Sequence, residues 1–278
     1  MTDKETYTDE TQRKTTLNEL QRNGYVVLKD VFPKAYIETL HATFVNTYER
    51  YFVDKRHVDA LRVGDKRFQV SVEVAGPFNS PRLYAHPVML PMMQQLLGHA
   101  CIISDITCIT SLPGSKKMGI HCDGKIFKGH PLAPLLPPHA VGLLIPLIPF
   151  TALNGPTRVW PGSHRIGPTF EHVPDKANFV DVEIDTGSCL LMDHRLYHAG
   201  NPNRSEQVRP LLYINYSAPW YYDPDNFGKQ APLLVSDAEF DQIPNEHKPL
   251  FVRRHIMFPK TDQHRPAEEV ESVNRSRP

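Results

Sequence analysis

Residues 179–193 read FVDVEIDTGSCLLMD, and their pattern decides the fold class. Val180, Val182 and Ile184 alternate with Asp181, Glu183 and Asp185. A period of two belongs to an extended chain, whose successive side chains point to opposite faces. Thr186-Gly187 supplies a turn, and SCLLMD (188–193) follows as the next strand. On the same grounds CIISDITCIT (101–110), AVGLLIPLI (140–148) and RPLLYINYS (209–217) are predicted strands. Pro146 cannot donate to a ladder, so its strand is expected at an edge or at a bulge.

Towards the N-terminus the period changes. TLNELQRNG (16–24) reads as a short helix stopped by Gly24, and YVVLKDVF (25–32) as a strand. After Pro33, Ile37, Leu40, Phe44, Tyr48, Tyr51 and Phe52 recur at helical spacing and make one apolar stripe. HPVMLPMMQQLLG (86–98) is a further packing helix, with Gly98 as its stop. Helices followed by many short strands predict a mainly β fold, a sandwich or jelly roll buttressed by N-terminal α-helices. No repeat or linker divides the chain, so one domain is expected over 1–278. In it, 16–100 is helical support, 101–220 the β core, and 1–15 and 260–278 flexible tails.

Composition narrows the function. Lysine plus arginine equals aspartate plus glutamate, 31 of each, so charge offers nothing for a nucleic acid or a membrane surface. Four cysteines without CxxC spacing favour a reducing, cytoplasmic setting. There is no N-terminal apolar h-region and no long apolar run, so neither a signal peptide nor a membrane span is expected. The 26 prolines, clustered at 131–138 and around 202–224, point to stiff loops. Nothing in the sequence fixes an oligomeric state.

GIHCDGKI (119–126) places His121 and Asp123 two apart. In an extended segment they share a face and can converge on one ion, while Cys122 points away. By itself this reads more readily as a polar turn than as two thirds of a metal site. A later segment, LMDHRLYHAGNPNRSEQVRPLLYINY (191–216), offers His198 after one strand and Arg209 opening the next. Arg209, Leu211 and Tyr213 share a strand face, and an arginine there can grip a carboxylate at two points. Two histidines and a carboxylate leaving open positions suit Fe(II) and O₂. His194 reads as structural or supporting, and His164, after Pro161-Gly162-Ser163, as a turn hydrogen-bonder.

HCDG, NGPTRVWPGSHR, DHRLYHAGNPN and RPLLYINY, in this order, resemble the phytanoyl-CoA dioxygenase-like family of Fe(II)- and 2-oxoglutarate-dependent oxygenases, and NGYVVLKDVFP (23–33) resembles its entry segment. The likeness covers roughly residues 17 to 255. It implies a double-stranded β-helix, cupin-like, with His121, Asp123 and His198 on the metal and Arg209 on the far carboxylate of 2-oxoglutarate. Thr157 is a second implied contact to that cosubstrate, and a basic residue before the core, Lys66 or Arg67, a further one. The implied reaction consumes O₂ and 2-oxoglutarate, oxidises an unactivated C–H of a small organic metabolite and releases succinate and CO₂. Two positions qualify the match. Gly119 stands where many relatives carry a glutamine, and Asp123 stands where related halogenases carry a small residue, which argues against halogenation. A non-catalytic barrel with a vestigial metal site, or a zinc hydrolase on the same ligands, are the competing readings. The loop 124–142 leaves the metal pair and is expected to wall or cover the site mouth. With Trp220, Tyr221 and Tyr222 it suggests a mid-sized, partly apolar substrate, a biosynthetic intermediate or an acyl-CoA among the options.

Overall fold

The computed structural model describes residues 10–124, 126, 130, 132, 135–166, 177–222 and 233–255. Helix α1 (Glu10–Asn23) ends at Gly24, whose φ of 82° and N–H to the Leu20 carbonyl close the last turn. Strand β1 (Tyr25–Leu28) stops four residues short of the expected end, and α2 (Lys34–Tyr48) begins directly after Pro33. Next come β2 (Ala60–Gly64), β3 (Arg67–Ser71), α3 (Pro81–Tyr84) and α4 (Met89–Leu97). The core strands are β4 (Ile102–Ser111), β5 (Ala140–Pro146), β6 (Thr157–Val159) and β7 (Val180–Val182). They continue with β8 (Cys189–Asp193), β9 (His198–Gly200) and β10 (Arg209–Ser217), before a short α5 (Asp237–Gln242).

All strand pairs are antiparallel. Seven strands form one sheet in the order β1-β8-β5-β10-β4-β3-β2, and β7-β6-β9 form the second. Leu144, Leu190, Met192, Leu211 and Tyr213 of the large sheet meet Val159 and Val182 of the small one. The opposite face of the large sheet, with Leu143, Ile145, Leu191, Leu212 and Ile214, packs on Ile37, Leu40 and Phe44 of α2. Strands covered on both sides need apolar residues on both faces. This is why β5, β8 and β10 read as continuous apolar runs while the 180–185 segment alternates.

The segment 16–100, expected as helical support, also carries β1, β2 and β3, which extend the large sheet at both edges. Pro146 is a correction: β5 lies inside the large sheet, not at its edge. The pairing of β5 with β8 ends at Leu144, so Pro146 lies past the last β8 partner and its missing N–H breaks no ladder there. The helix expected from residue 86 begins at Met89. Most of the 1–15 tail, all of the 260–278 tail and much of the 124–142 loop lie outside the described residues.

Candidate metal centre

His198 and His121 exchange backbone hydrogen bonds, His121 N–H to His198 O at 3.0 Å and His198 N–H to His121 O at 2.8 Å. This bridge sets the imidazoles side by side, with ring centroids 4.3 Å apart. Each Nδ1 is tied to a carbonyl two residues earlier, His121 to Gly119 O at 2.9 Å and His198 to Leu196 O at 3.1 Å. A carbonyl only accepts, so Nδ1 carries the proton and the Nε2 lone pairs are left for a ligand. Asp123 Oδ1 lies 3.7 Å from His121 Nε2 and 3.5 Å from His198 Nε2. One ligand atom from each residue lies within 4.8 Å of the other two.

The protonation states suit a cation. Burial pushes the Asp123 carboxyl up, but His198, His194, His121 and the Tyr213 hydroxyl outweigh it and bring the pKa down to about 2. Burial pulls His198 down to about 4, only partly offset by Asp123. At neutral pH the trio therefore offers a neutral His198 imidazole and an ionised carboxylate, the forms that bind metals. Two imidazole nitrogens and one carboxylate oxygen fit a divalent first-row metal with positions left open. The other Asp123 oxygen, Oδ2, accepts from Tyr213 Oη at 2.5 Å.

A second constellation lies across the large sheet. Arg67 on β3 and Arg209 on β10 both stand directly opposite Ser111 of β4, so the three side chains share a face. Both guanidiniums are buried, Arg67 at 0% and Arg209 at 2% exposure. Arg67 donates through Nε to Ser111 Oγ at 3.2 Å and through Nη2 to the Asn201 carbonyl at 2.8 Å. Its Nη1, and Nε and Nη1 of Arg209, have no partner among the described residues. Arg209 lies over the Phe150 ring, 4.4 Å from its centroid. Burial pulls the pKa of both arginines down, and each deepens the demand for an anion, Arg209 further through its neighbour Arg67.

The two constellations meet across β9, and the space between them is called the chamber. A Cβ at Gly200 of β9 would lie 1.8 Å from Arg67 Nη1, and Gly200 is two residues past His198, on the same strand face. Opposite Gly200 stands Thr157 of β6, buried on that face. Lys66 takes a different course. It occupies the turn between β2 and β3 with a φ of 48°, and its Nζ lies near Gly114.

Among the other predicted positions, Gly119 offers its carbonyl to His121, and a Cβ there would meet open space. His194 is buried, hydrogen-bonded through Nε2 to Asn215 Oδ1 at 2.8 Å, and Asn215 in turn donates to Asp105. His164 bonds the Gln21 carbonyl at 3.0 Å and takes no part in the trio. Tyr221 stands beside the site, since a Cβ at Gly124 would lie 2.2 Å from its hydroxyl, while Trp220 and Tyr222 are exposed. Sequence reasoning left Arg67 undecided and gave Tyr213 only a strand face. Alternation carried both signals, but their partners come from distant strands.

The family model described as Phytanoyl-CoA dioxygenase (PhyH) matches residues 20–211. "Dioxygenase af480" of Aspergillus fumigatus is 30% identical over 179 residues, which are 63% of this chain and 55% of that protein. The match thus spans about half the length of that relative. "Iron/alpha-ketoglutarate-dependent dioxygenase ausO" of Aspergillus calidoustus is 27% identical over 215 residues, 70% of this chain and 69% of that one. Among solved structures, the epimerase SnoN in complex with Fe3+, alpha ketoglutarate and nogalamycin RO superposes with a TM-score of 0.54 at 17% identity. That superposition covers 75% of this chain and 84% of SnoN, and it shows a shared fold.

Proposed function

Because the chain belongs to the phytanoyl-CoA dioxygenase family, we propose that it is a non-haem Fe(II)- and 2-oxoglutarate-dependent dioxygenase. It oxidises an unactivated C–H bond of a small organic molecule and releases succinate and CO₂. His121, Asp123 and His198 would hold the iron, which when bound supplies the O₂ activation that couples cosubstrate decarboxylation to C–H oxidation. Arg209 and Arg67 grip the far carboxylate of 2-oxoglutarate, and Thr157 lies on the face from which a second contact reaches it.

One observation carries this reading: two buried guanidiniums, with N–H groups that find no acceptor among the described residues, stand on one sheet face, and one of them lies against Gly200, two residues past His198. Unpaired buried charge is costly, so the chamber is built for an anion. A vestigial barrel has no reason to keep that cost. Where the glutamine of many relatives is missing at Gly119, Arg67 supplies the extra anchor. The proposed substrate is a small molecule, as SnoN holds one. All four cysteines are free, in keeping with a cytoplasmic setting, and no described helix is long and apolar enough to cross a membrane.

The test is anaerobic. Fe(II) and then 2-oxoglutarate are added, and the visible charge-transfer band of an iron-bound keto acid is followed. The band is expected in the parent and absent in Asp123→Ala. No band in the parent, or an equal band in Asp123→Ala, overturns the reading.

A further inference from the structure

The two oxygens of Asp123 are not equivalent. Oδ1 faces both imidazoles, whereas Oδ2 accepts a hydrogen bond from Tyr213 Oη at 2.5 Å. An ionised carboxylate only accepts, so the phenol must be the donor. A short bond to an ionised acceptor is of the strong, charge-assisted kind. Asp123 itself lies in a segment outside the named strands, so the chain alone does not fix its side chain. Tyr213 is fixed. It sits mid-strand in β10, paired with Thr107 on one side and Leu144 on the other, and is 5% exposed.

The phenol reaches Asp123 only because residue 142 is glycine. A Cβ at Gly142 would lie 2.1 Å from Tyr213 Cε2 and 2.5 Å from its hydroxyl. Gly142 is an ordinary strand residue of β5 without a positive φ, so conformational freedom does not explain it. Space for the tyrosine does.

We propose that Tyr213, seated on Gly142, is a positioning residue that occupies Asp123 Oδ2 so that Oδ1 alone is offered to the metal. A carboxylate with one oxygen engaged in this way cannot turn to grip the metal with both, and the room this saves is left to 2-oxoglutarate. The inference rests on the function proposed above.

The experiment compares the full-length parent with Tyr213→Phe and Gly142→Ala. Tyr213→Phe keeps the ring and removes only the hydroxyl. Each protein is loaded with Co(II), whose visible absorption reports ligand number, and separately with Fe(II) under argon for titration with 2-oxoglutarate. Loss of a partner that orients a metal ligand typically costs about 10–100-fold in metal affinity or activity, and the 2-oxoglutarate dissociation constant of Tyr213→Phe is expected to rise by a factor of the same order. Its Co(II) spectrum is expected to differ from the parent's. Gly142→Ala, which displaces the ring instead, is expected to shift both readouts in the same direction.

A parent-like Co(II) spectrum in Tyr213→Phe overturns the proposal, and so does complete loss of metal from that variant, which would make the hydroxyl a condition of binding at all. A variant that is merely less stable would melt earlier with neither readout changed, and that too overturns it. If the parent itself gives no 2-oxoglutarate-dependent band, the proposed function fails, and the Co(II) comparison alone judges Tyr213.

Discussion

Replacing Arg67 by methionine should weaken cosubstrate binding without harming the fold. Among the described residues its Nη1 is one buried donor without a partner, and Arg209 has two, Nε and Nη1. A hydrogen bond to a charged group is worth about 1.5–3 kcal/mol, and about 1.4 kcal/mol is a factor of ten. Losing one such bond raises the dissociation constant for 2-oxoglutarate about 10–100-fold, and losing two, in Arg209→Met, about 100–10,000-fold. Stability should not follow. Arg67→Met removes a buried charge and the like-charged neighbour of Arg209, which offsets the loss of its hydrogen bonds to Ser111 and the Asn201 carbonyl. The melting temperature of the metal-loaded protein without cosubstrate is therefore expected to change little. The assay is the melting-temperature rise produced by 2-oxoglutarate on the Ni(II)-loaded protein. At a ligand concentration 100 times the parent dissociation constant, binding stabilises by about 2.7 kcal/mol. A variant weakened about 100-fold gains only about 0.4 kcal/mol at that concentration. An undiminished rise in Arg67→Met would refute the assignment, and so would an effect larger than that of Arg209→Met.

Gly200→Ala should reproduce the Arg67 phenotype by a different route, because the new Cβ would lie 1.8 Å from Nη1 and push the guanidinium aside. Unchanged 2-oxoglutarate affinity in that variant would show that Arg67 does not need its place against β9. Gly187→Ala tests the turn between the alternating segment and β8. Its φ is 93° and the new Cβ would lie 2.6 Å from the Phe32 carbonyl, so a loss of about 1–3 kcal/mol is expected, read as an earlier thermal melt. Acid should destabilise the metal-free protein through His139, whose pKa burial lowers to about 3, with His194 adding to the effect. Between an unfolded value of about 6.5 and that folded value, the unfolded chain binds a proton that the native chain refuses, so stability is full above the window and falls with pH inside it. At pH 5 the loss from this one group is about 2 kcal/mol. His139→Phe should flatten the fall in melting temperature between pH 6.5 and 5, and a slope equal to the parent's would count against it.

The parts of the fold that the sequence made readable are those in which one residue pattern had one physical cause. The apolar runs of β5, β8 and β10 reflect burial on both faces, and the stripe of α2 reflects burial on one. Strands β6 and β9 hold three residues each, too few to show a period. The β2–β3 hairpin turns through Asp65-Lys66 without the glycine that usually announces such a turn, although Lys66 adopts the positive φ a glycine would supply. That turn also hid the choice between Lys66 and Arg67. Neighbouring residues at a strand start point to opposite faces, and only the register that sets Arg67 against Ser111 decides which side chain enters the chamber. The candidate metal trio was more legible, since His121 and Asp123 share a face by spacing alone. Their meeting with His198 depends on a bridge between two distant segments that no local pattern encodes.

The register explains why one strand can hold both halves of the chemistry in a fixed relation. Arg209 and Tyr213 lie four residues apart on β10 and therefore on the same face, separated along the strand by about 13 Å at about 3.3 Å per residue. One end of that ruler carries Arg209, the proposed anion grip, and the other carries the hydroxyl that bonds Asp123. His198 and Thr157 belong to the opposite sheet, so Asp123 is the residue through which the metal trio touches β10. Strand β10 is paired on both sides, with β4 and with β5, and a slip of one residue would turn Arg209 and Tyr213 out of the chamber together. The distance between the proposed cosubstrate anchor and the proposed metal carboxylate is thus set largely by backbone hydrogen bonds of β10. Side-chain changes at residues 67, 142 and 200 can loosen one end of the ruler while the other stays in place. For this reason the variants above should separate, with Gly142→Ala altering the metal's ligand number and Gly200→Ala altering 2-oxoglutarate affinity alone.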